Sequence, residues 1–253
     1  MGAYLIHMDE EGVLTFTINR PEKRNAVSYE VMTGLEEAMA ESIHNNQVKA
    51  LVITGSGNSA FCSGGDLSQF HTLKTESESF GMLSRMGDIL TRLAFLPKPT
   101  IAFINGTAVG GGCEIAASCD FRVAKRTAKM GFVQGNLAIT TGWGGGTLLL
   151  ERLPASKALS LLMTARLETA EVLNEIGFID QVVDDSVLLH DIPFIQMISS
   201  KSAGVLEAYK HQLLVKWDRG KIEENILEEI KRCSVLWASD EHHQAVDKFF
   251  NKE

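Results

Sequence analysis

The chain has 253 residues, 45% of them hydrophobic, and carries a formal net charge of -8 at pH 7. This length and composition are sufficient for one large domain, or for one domain with a small appendage. The acidic balance disfavours binding to polyanions, because neutralising phosphates requires clustered Lys and Arg in excess. We therefore predict that nucleic acids are not partners of this protein.

The four cysteines show neither Cys-x-x-Cys spacing nor the histidine arrangement of a zinc site. The N-terminus lacks a basic leader followed by an apolar run, and no apolar stretch approaches the ~20 residues needed to cross a bilayer. These patterns predict a reduced cytoplasmic protein that binds no metal and has no membrane partner.

Strands and helices alternate in the first half of the chain. Alternating apolar and polar residues indicate a hairpin, helical spacing indicates helices, and short continuous apolar runs indicate buried strands. The predicted elements are a hairpin over residues 3–8 and 12–19, a helix from an N-cap at Ser28 to Asn45, a strand over 50–54, a glycine- and serine-rich loop over 55–66, a helix over 77–95 and a strand over 100–104.

The second half of the chain is mainly helical. A helix of small residues follows a run of three glycines, a strand lies near residues 121–124, and a second glycine run covers 142–146. Helical spacing dominates from residue 155 onward, with a last strand at 179–183. This order predicts an α/β core followed by a helical C-terminal region.

The three consecutive glycines at residues 110–112 lead directly into a segment that holds one carboxylate, Glu114. Glycine lets the backbone approach a ligand closely, and the first N–H groups of a helix have no partner inside it. Such a corner can bind a developing negative charge. An acidic residue in a first helical turn can merely complement the helix dipole, but the neighbours of Glu114 are apolar on all sides and predict burial. A buried carboxylate has a raised pKa, so we predict that Glu114 transfers a proton.

A second glycine corner, at Gly64 and Gly65, also follows a predicted strand. Binding sites in α/β sheets lie beyond the carboxyl ends of strands, and an oxyanion hole needs backbone N–H groups from two such loops. Gly55 and Gly57 match a dinucleotide-binding fingerprint only weakly, because no helix starts there and the loop continues. We therefore interpret them as a surface turn.

The C-terminal aromatic and histidine residues receive structural interpretations. Trp237, Phe249 and Phe250 are predicted to be packing residues of a docked helix, and His242 and His243 to lie on the solvated surface. The chain has no Gly-x-Ser-x-Gly nucleophile elbow of the kind used by acyl hydrolases.

Five motifs, in this order and spacing, resemble those of the crotonase superfamily, also called the enoyl-CoA hydratase/isomerase family. The resemblance covers nearly the whole chain. The motifs are residues 19–26 (NRPEKRNA), 60–67 (AFCSGGDL), 98–102 (KPTIA), 105–114 (NGTAVGGGCE) and 119–122 (CDFR).

The resemblance implies a ββα spiral core over residues 1–190 and a helical trimerisation region over 191–253, in homotrimers that can pair into homohexamers. It also implies an acyl-CoA thioester substrate whose carbonyl oxygen lies between the N–H groups of Gly65 and Gly111, with Glu114 as the proton-transfer residue. Coenzyme A is then part of the substrate, and no separate cofactor is expected.

The resemblance further implies a binding site for the coenzyme A moiety. The loop that carries Arg24 and Ala26 would lie along the nucleotide, and the loop that carries Ser63, Asp66 and Leu67 would complete the site. The acyl pocket is expected near Phe70, Leu83, Met86, Ala138 and Trp143.

One position departs from the hydratase pattern. Gln134 stands where typical hydratases have a second glutamate, and an amide can hold water but cannot accept and return a proton. The segment from Phe132 to Gly145, which includes Trp143, looks more like the acyl-CoA decarboxylase-like branch. Isomerisation or single-carboxylate hydration of an enoyl-CoA is the primary hypothesis, with decarboxylation of a methylmalonyl- or ethylmalonyl-type CoA as the alternative. A non-catalytic protein that binds CoA thioesters or RNA is an alternative from another class.

Overall fold

The computed structural model describes residues 2–251. Its strands are β1 (Tyr4–Met8), β2 (Val13–Ile18), β3 (Ala50–Gly55), β4 (Ala60–Cys62), β5 (Thr100–Ile104), β6 (Thr107–Val109), β7 (Phe121–Lys125), β8 (Lys129–Gly131), β9 (Glu168–Thr169) and β10 (Gln181–Val183). Its α-helices are α1 (Tyr29–His44), α2 (Leu67–Phe70), α3 (Glu76–Ala94), α4 (Gly111–Ser118), α5 (Gly145–Arg152), α6 (Ala155–Thr164), α7 (Ala170–Glu175), α8 (Pro193–Ser199), α9 (Ala203–Lys216), α10 (Arg219–Trp237) and α11 (Asp240–Phe250). Short 3-10 helices cover Pro21–Lys23, Val133–Leu137 and Leu189–Asp191.

The larger sheet has six strands in the order β1-β2-β3-β5-β7-β10. β1 and β2 form the predicted antiparallel hairpin, and the remaining pairs are parallel. β3 and β5 are buried at every residue, as expected for central strands of a parallel sheet that is covered on both faces. The predicted strands at 50–54, 100–104 and 121–124 are confirmed.

The smaller sheet, in the order β4-β6-β8-β9, positions the candidate site. β4, β6 and β8 are parallel, so their carboxyl ends meet at one edge. β4 leads into Gly64 and Gly65, β6 leads into Gly111, and β8 leads into Gln134. Three short strands therefore bring together segments that are far apart in the sequence.

β4 and β6 correct two sequence predictions. The glycine-rich loop over residues 55–66 contains β4, and β5 does not lead directly into the glycine corner because β6 intervenes. Each of these strands has only three residues, too few for a periodic pattern. Their pairing joins Ala60 to Thr107 and Cys62 to Ala108, so tertiary contact and not local propensity forms them.

Local capping explains where two long helices begin. Ser28 Oγ accepts a hydrogen bond from Val31 N at the start of α1, as predicted, and Thr75 and Glu78 form a reciprocal capping box at the start of α3. These helices confirm the predictions for residues 28–45 and 77–95.

The C-terminal region is helical, as predicted. α10 lies against α3, where a Cβ atom added at Gly87 would be 2.6 Å from Ile230 Cδ1. Ile226 and Trp237 belong to the same buried apolar cluster as the central strands. The division of the chain at residues 190 and 191 stays a prediction. Within residues 2–251, no helix is both long and apolar enough to cross a membrane.

Candidate active site

The first glycine corner brings the start of α4 against an aromatic ring. Gly110 has φ +56° and ψ -118°, a backbone conformation that residues other than glycine rarely adopt. A Cβ atom at Gly111 would overlap the ring of Trp143. The N–H of Gly111 has no acceptor among residues 2–251, as expected for the first residue of a helix.

The second glycine corner lies directly beside the first. A Cβ atom at Gly64 would be 3.2 Å from Gly111 N, and one at Gly65 would be 3.5 Å from Trp143 Cζ2. A parallel bridge between Val27 and Gly65 holds this loop, yet the Gly65 N–H has no acceptor in the described part of the chain. Both glycines line one cavity. The structure thus places these two backbone donors, from two loops, beside the same tryptophan ring.

Glu114 lies in the first turn of α4 and is only 3% exposed. Its Oε2 accepts hydrogen bonds from Trp143 N and Gly145 N, both at 2.9 Å, and its Oε1 accepts from Gly142 N at 3.5 Å. Burial raises the pKa of Glu114 to about 8, with a further contribution from the charge of Glu229, against the lowering effect of these amides. The carboxyl group can therefore both give and accept a proton near neutral pH.

Gln134 lies beside Glu114. Its Nε2 donates a hydrogen bond to Glu114 Oε1 at 2.9 Å. Its Oε1 is buried and has no hydrogen-bond partner within residues 2–251. Since Gln134 also lines the cavity, this oxygen is available to accept a hydrogen bond from a water molecule or a substrate hydroxyl.

The cavity has a volume of about 110 Å³. Phe70, Leu83 and Trp143 line it as predicted, whereas Met86 and Ala138 do not. Met86 is fully buried in the apolar core instead. Met82 and Ile139 also contribute apolar surface to the cavity, but they follow no sequence pattern that separates them from ordinary core residues.

The C-terminal helices complete the cavity. Cys233 and Trp237 from α10 and His242 from α11 line it. The prediction of a solvated His242 is wrong, because the ring is 2% exposed and its Nδ1 lies 2.7 Å from Leu137 O. The sequence did hold a signal for this burial: His242 and Val246 are four residues apart, a spacing that places both on one face of a helix, and Val246 is buried.

An outer groove of about 550 Å³ adjoins the cavity. It brings together all of the residues that were predicted to contact the coenzyme A moiety, namely Arg24, Ala26, Ser63, Asp66 and Leu67. The Asp66 carboxylate has structural partners: it accepts from Arg20 Nη2 at 2.6 Å and caps α2 through Ser68 N.

The predicted packing role holds for Trp237, which is buried, but not for Phe249 and Phe250. These two are 44% and 41% exposed and line the outer groove. They lie at the end of α11, where only one face of the helix contacts the rest of the molecule.

The described residues contain no group of three or more His, Cys, Asp or Glu side chains placed to hold a metal ion. All four cysteines are buried free thiols. Burial raises the pKa of Cys62 to about 12, so this thiol stays protonated and is a poor nucleophile.

The family model for enoyl-CoA hydratase/isomerase matches residues 8–253. The chain belongs to this family. A short-chain-enoyl-CoA hydratase from Clostridium acetobutylicum is 31% identical over 247 residues, which cover 97% of this chain and 94% of that protein. An ethylmalonyl-CoA decarboxylase from Xenopus tropicalis is 29% identical over 94% of this chain and 80% of its own length.

Among solved structures, this hydratase/isomerase-family enzyme resembles a carnitinyl-CoA hydratase from Mycobacterium avium. The TM-score is 0.87 at 29% identity, and the match covers 100% of this chain and 97% of that one. The fold is therefore the crotonase fold, an α/β core followed by a helical C-terminal region.

Proposed function

We propose that this enzyme stabilises the enolate of an acyl-CoA thioester, and that Glu114 moves a proton on the acyl chain of a 2- or 3-enoyl-CoA. The observation that carries the proposal is the position of Glu114 in one small cavity with the N–H groups of Gly65 and Gly111, which have no acceptor within residues 2–251. These donors would bind the thioester oxygen as it becomes negative, and removing one such donor typically costs ~10²–10³ in rate.

Glu114 is well suited to carry the proton. With a pKa of about 8, both protonation states of the carboxyl group are populated near neutral pH. In an isomerisation it would take a proton from one carbon of the chain and return it to another. In a hydration it would take a proton from water and deliver it to the carbon next to the thioester.

Gln134 would assist by holding the water or hydroxyl group. Its unpaired Oε1 is an acceptor for an O–H donor, while its Nε2 remains on Glu114. Because the amide exchanges no proton, Glu114 would be the only proton carrier of the pair. Trp143 would form the wall against which the thioester lies.

The outer groove would bind the coenzyme A moiety of the substrate. Arg24 supplies a positive charge for the phosphates, with Ala26, Ser63 and Leu67 along the same groove. No cofactor beyond this substrate is proposed. We also propose a homotrimer, or a homohexamer of two trimers, which sedimentation analysis of the purified protein tests.

Proton NMR of a panel of CoA thioesters in D₂O tests the proposed chemistry. Deuterium exchange, water addition, double-bond movement and CO₂ loss each leave a different product. We expect Glu114→Gln to lower turnover by about 10²–10⁴-fold, whereas Glu151→Gln, an exposed change on α5, leaves turnover unchanged. Turnover by Glu114→Gln within a few-fold of wild type would refute the role of Glu114.

Decarboxylation of a methylmalonyl- or ethylmalonyl-type CoA is the second candidate. The observation that favours it is Gln134, an amide that cannot act as a second carboxylate base beside Glu114. Breaking the bond to the carboxylate would release CO₂ and leave its electron pair in the same enolate, and protonated Glu114 would then donate a proton to carbon 2 of the acyl chain. Release of CO₂ from either substrate supports this candidate, and no release from both counts against it.

A further inference from the structure

A second carboxylate, that of Glu229, lies at the start of α5, where the backbone also donates to Glu114. Glu229, on α10, accepts hydrogen bonds through Oε1 from Gly146 N at 3.2 Å and through Oε2 from Thr147 N at 2.8 Å. Thr147 Oγ1 donates to the same Oε2 at 2.7 Å. Glu114 Oε2 accepts a hydrogen bond from the preceding amide, Gly145 N. The first turn of α5 therefore begins between two carboxylates, one from the core and one from the C-terminal region.

This arrangement ties the first turn of α5 in place. The N–H groups of a first helical turn have no partner inside the helix, and Glu229 satisfies two of them. The backbone that donates to Glu114 immediately precedes these two amides in the chain. A shift of the turn would consequently move the Trp143 and Gly145 donors relative to the Glu114 carboxylate.

The charge of Glu229 acts on Glu114 as well. After burial, it is the largest influence that raises the pKa of Glu114. The other titratable groups around Glu114 are uncharged at neutral pH: the buried thiols of Cys113 and Cys233, and His242 across the cavity, whose pKa is lowered by burial. Within residues 2–251, no Lys, Arg or His forms an ion pair with either carboxylate.

We propose that Glu229 is a positioning residue for the proton transfer by Glu114: its hydrogen bonds to Gly146 and Thr147 fix the first turn of α5, beside the amides that donate to the Glu114 carboxyl group. The negative charge of Glu229 acts on the same carboxyl group. This role rests on the proposed function of Glu114. In this role Glu229 links α10 to the proton transfer by Glu114 through a contact with α5, not through a contact with the substrate.

Three variants separate charge from position. Glu229→Gln removes the charge at nearly constant shape, and Glu229→Asp keeps the charge but withdraws it from the amides. Glu228→Gln, an exposed change on the same helix that removes a partner of Arg232, is the matched control for charge. The first readout is the pH dependence of kcat. The second is the titration of the Glu114 carboxyl group itself, which is followed by infrared spectroscopy of ¹³C-glutamate-labelled proteins. The spectrum of each protein is compared with that of the same protein carrying Glu114→Gln, so that the difference reports Glu114.

We expect Glu229→Gln to move both midpoints downward by about one pH unit, because removing a nearby like charge favours the ionised carboxyl. Glu229→Asp should keep the midpoint but lower kcat more than it changes KM, and Glu228→Gln should change neither. A Glu229→Gln midpoint equal to that of Glu228→Gln overturns the proposal. The infrared titration needs no substrate, so it still tests Glu229 if Glu114→Gln proves active and the proposed function fails.

Discussion

The burial of Glu114 couples the free energy of unfolding to pH. Its pKa is about 8 in the folded protein and 4.5 when unperturbed, so between these values the folded state holds a proton that the unfolded state has released. A raised pKa contributes stability that is fully present below about pH 4.5 and is lost as the pH rises through about 8.

We therefore predict that the wild-type protein loses stability between pH 5 and pH 8 more steeply than Glu114→Gln, by roughly 1 to 4 kcal/mol over that range. Urea unfolding at a series of pH values measures both slopes. The slopes are compared rather than the absolute stabilities, because an amide at residue 114 offers the surrounding N–H groups one acceptor oxygen fewer. Equal slopes would show that the Glu114 pKa is not raised by folding.

Gly111 must lack a side chain for the ring of Trp143 to keep its position. A methyl group there would overlap the ring of Trp143, which must then move from its position beside Gly65. We expect Gly111→Ala to lower kcat by about 10²–10³-fold, as when an oxyanion donor is removed. Gly81→Ala is the control, since nothing lies within 4 Å of the added methyl group. Steady-state kinetics on the active CoA thioester compares them, and equal activities would contradict the expectation.

At the scale of elements, α10 is held by apolar contacts with α3 and with the turn before α5. Ile226 is 3% exposed, and a Cβ atom at Gly144 would lie 2.9 Å from Ile226 Cγ1. Gly144 has φ +90°, a left-handed conformation that glycine adopts without strain. The turn therefore passes close to the helix that carries Glu229.

We predict that Ile226→Ala lowers the free energy of unfolding by about 2–5 kcal/mol, because it leaves a cavity between these elements. Leu227→Ala, at the next residue on the same helix, is the control: this side chain is 42% exposed, so its loss should cost less than about 1 kcal/mol. Urea denaturation provides the comparison. Equal losses in the two variants would mean that α10 does not depend on this contact.

On the scale of the whole molecule, a buried ion pair joins α9 to the core. Lys210 Nζ donates to Asp120 Oδ1, and both side chains are less than 10% exposed. Asp120 Oδ2 also accepts from Thr100 N at 2.9 Å, at the start of the central strand β5. The helical C-terminal region is thus connected to the sheet by a charged contact as well as by apolar packing.

We predict that Lys210→Met destabilises the protein by about 3–5 kcal/mol, because Asp120 would remain buried without its partner. The double variant Asp120→Asn with Lys210→Met should recover much of this loss, since no unpaired charge is left. Thermal or urea unfolding measures both variants. If the double variant were as unstable as the single one, unpaired charge would not be the cause.

The sequence alone was sufficient to predict the family, the central strands of the larger sheet, the helices α1 and α3 and the helical C-terminal region. Three of the features that supported these predictions are local patterns: the glycines before α4, the apolar surroundings of Glu114 and the continuous apolar strands. The order of the motifs along the chain indicated the family. Gln134 was identified from the family resemblance, because it stands where typical hydratases have a second glutamate. Local patterns suffice here because helix caps, glycine turns and buried strands each depend mainly on a few neighbouring residues.

Tertiary structure alone decided what surrounds Glu114. The short strands β4 and β6, the burial of His242 and the sharing of one helix end by Glu114 and Glu229 all join segments distant in sequence, which no local pattern encodes. The raised pKa was expected in direction from burial, but the second carboxylate that contributes to it became visible only when α10 lay against α5. Long-range packing sets the electrostatic environment, because charge and burial act through space and not along the chain.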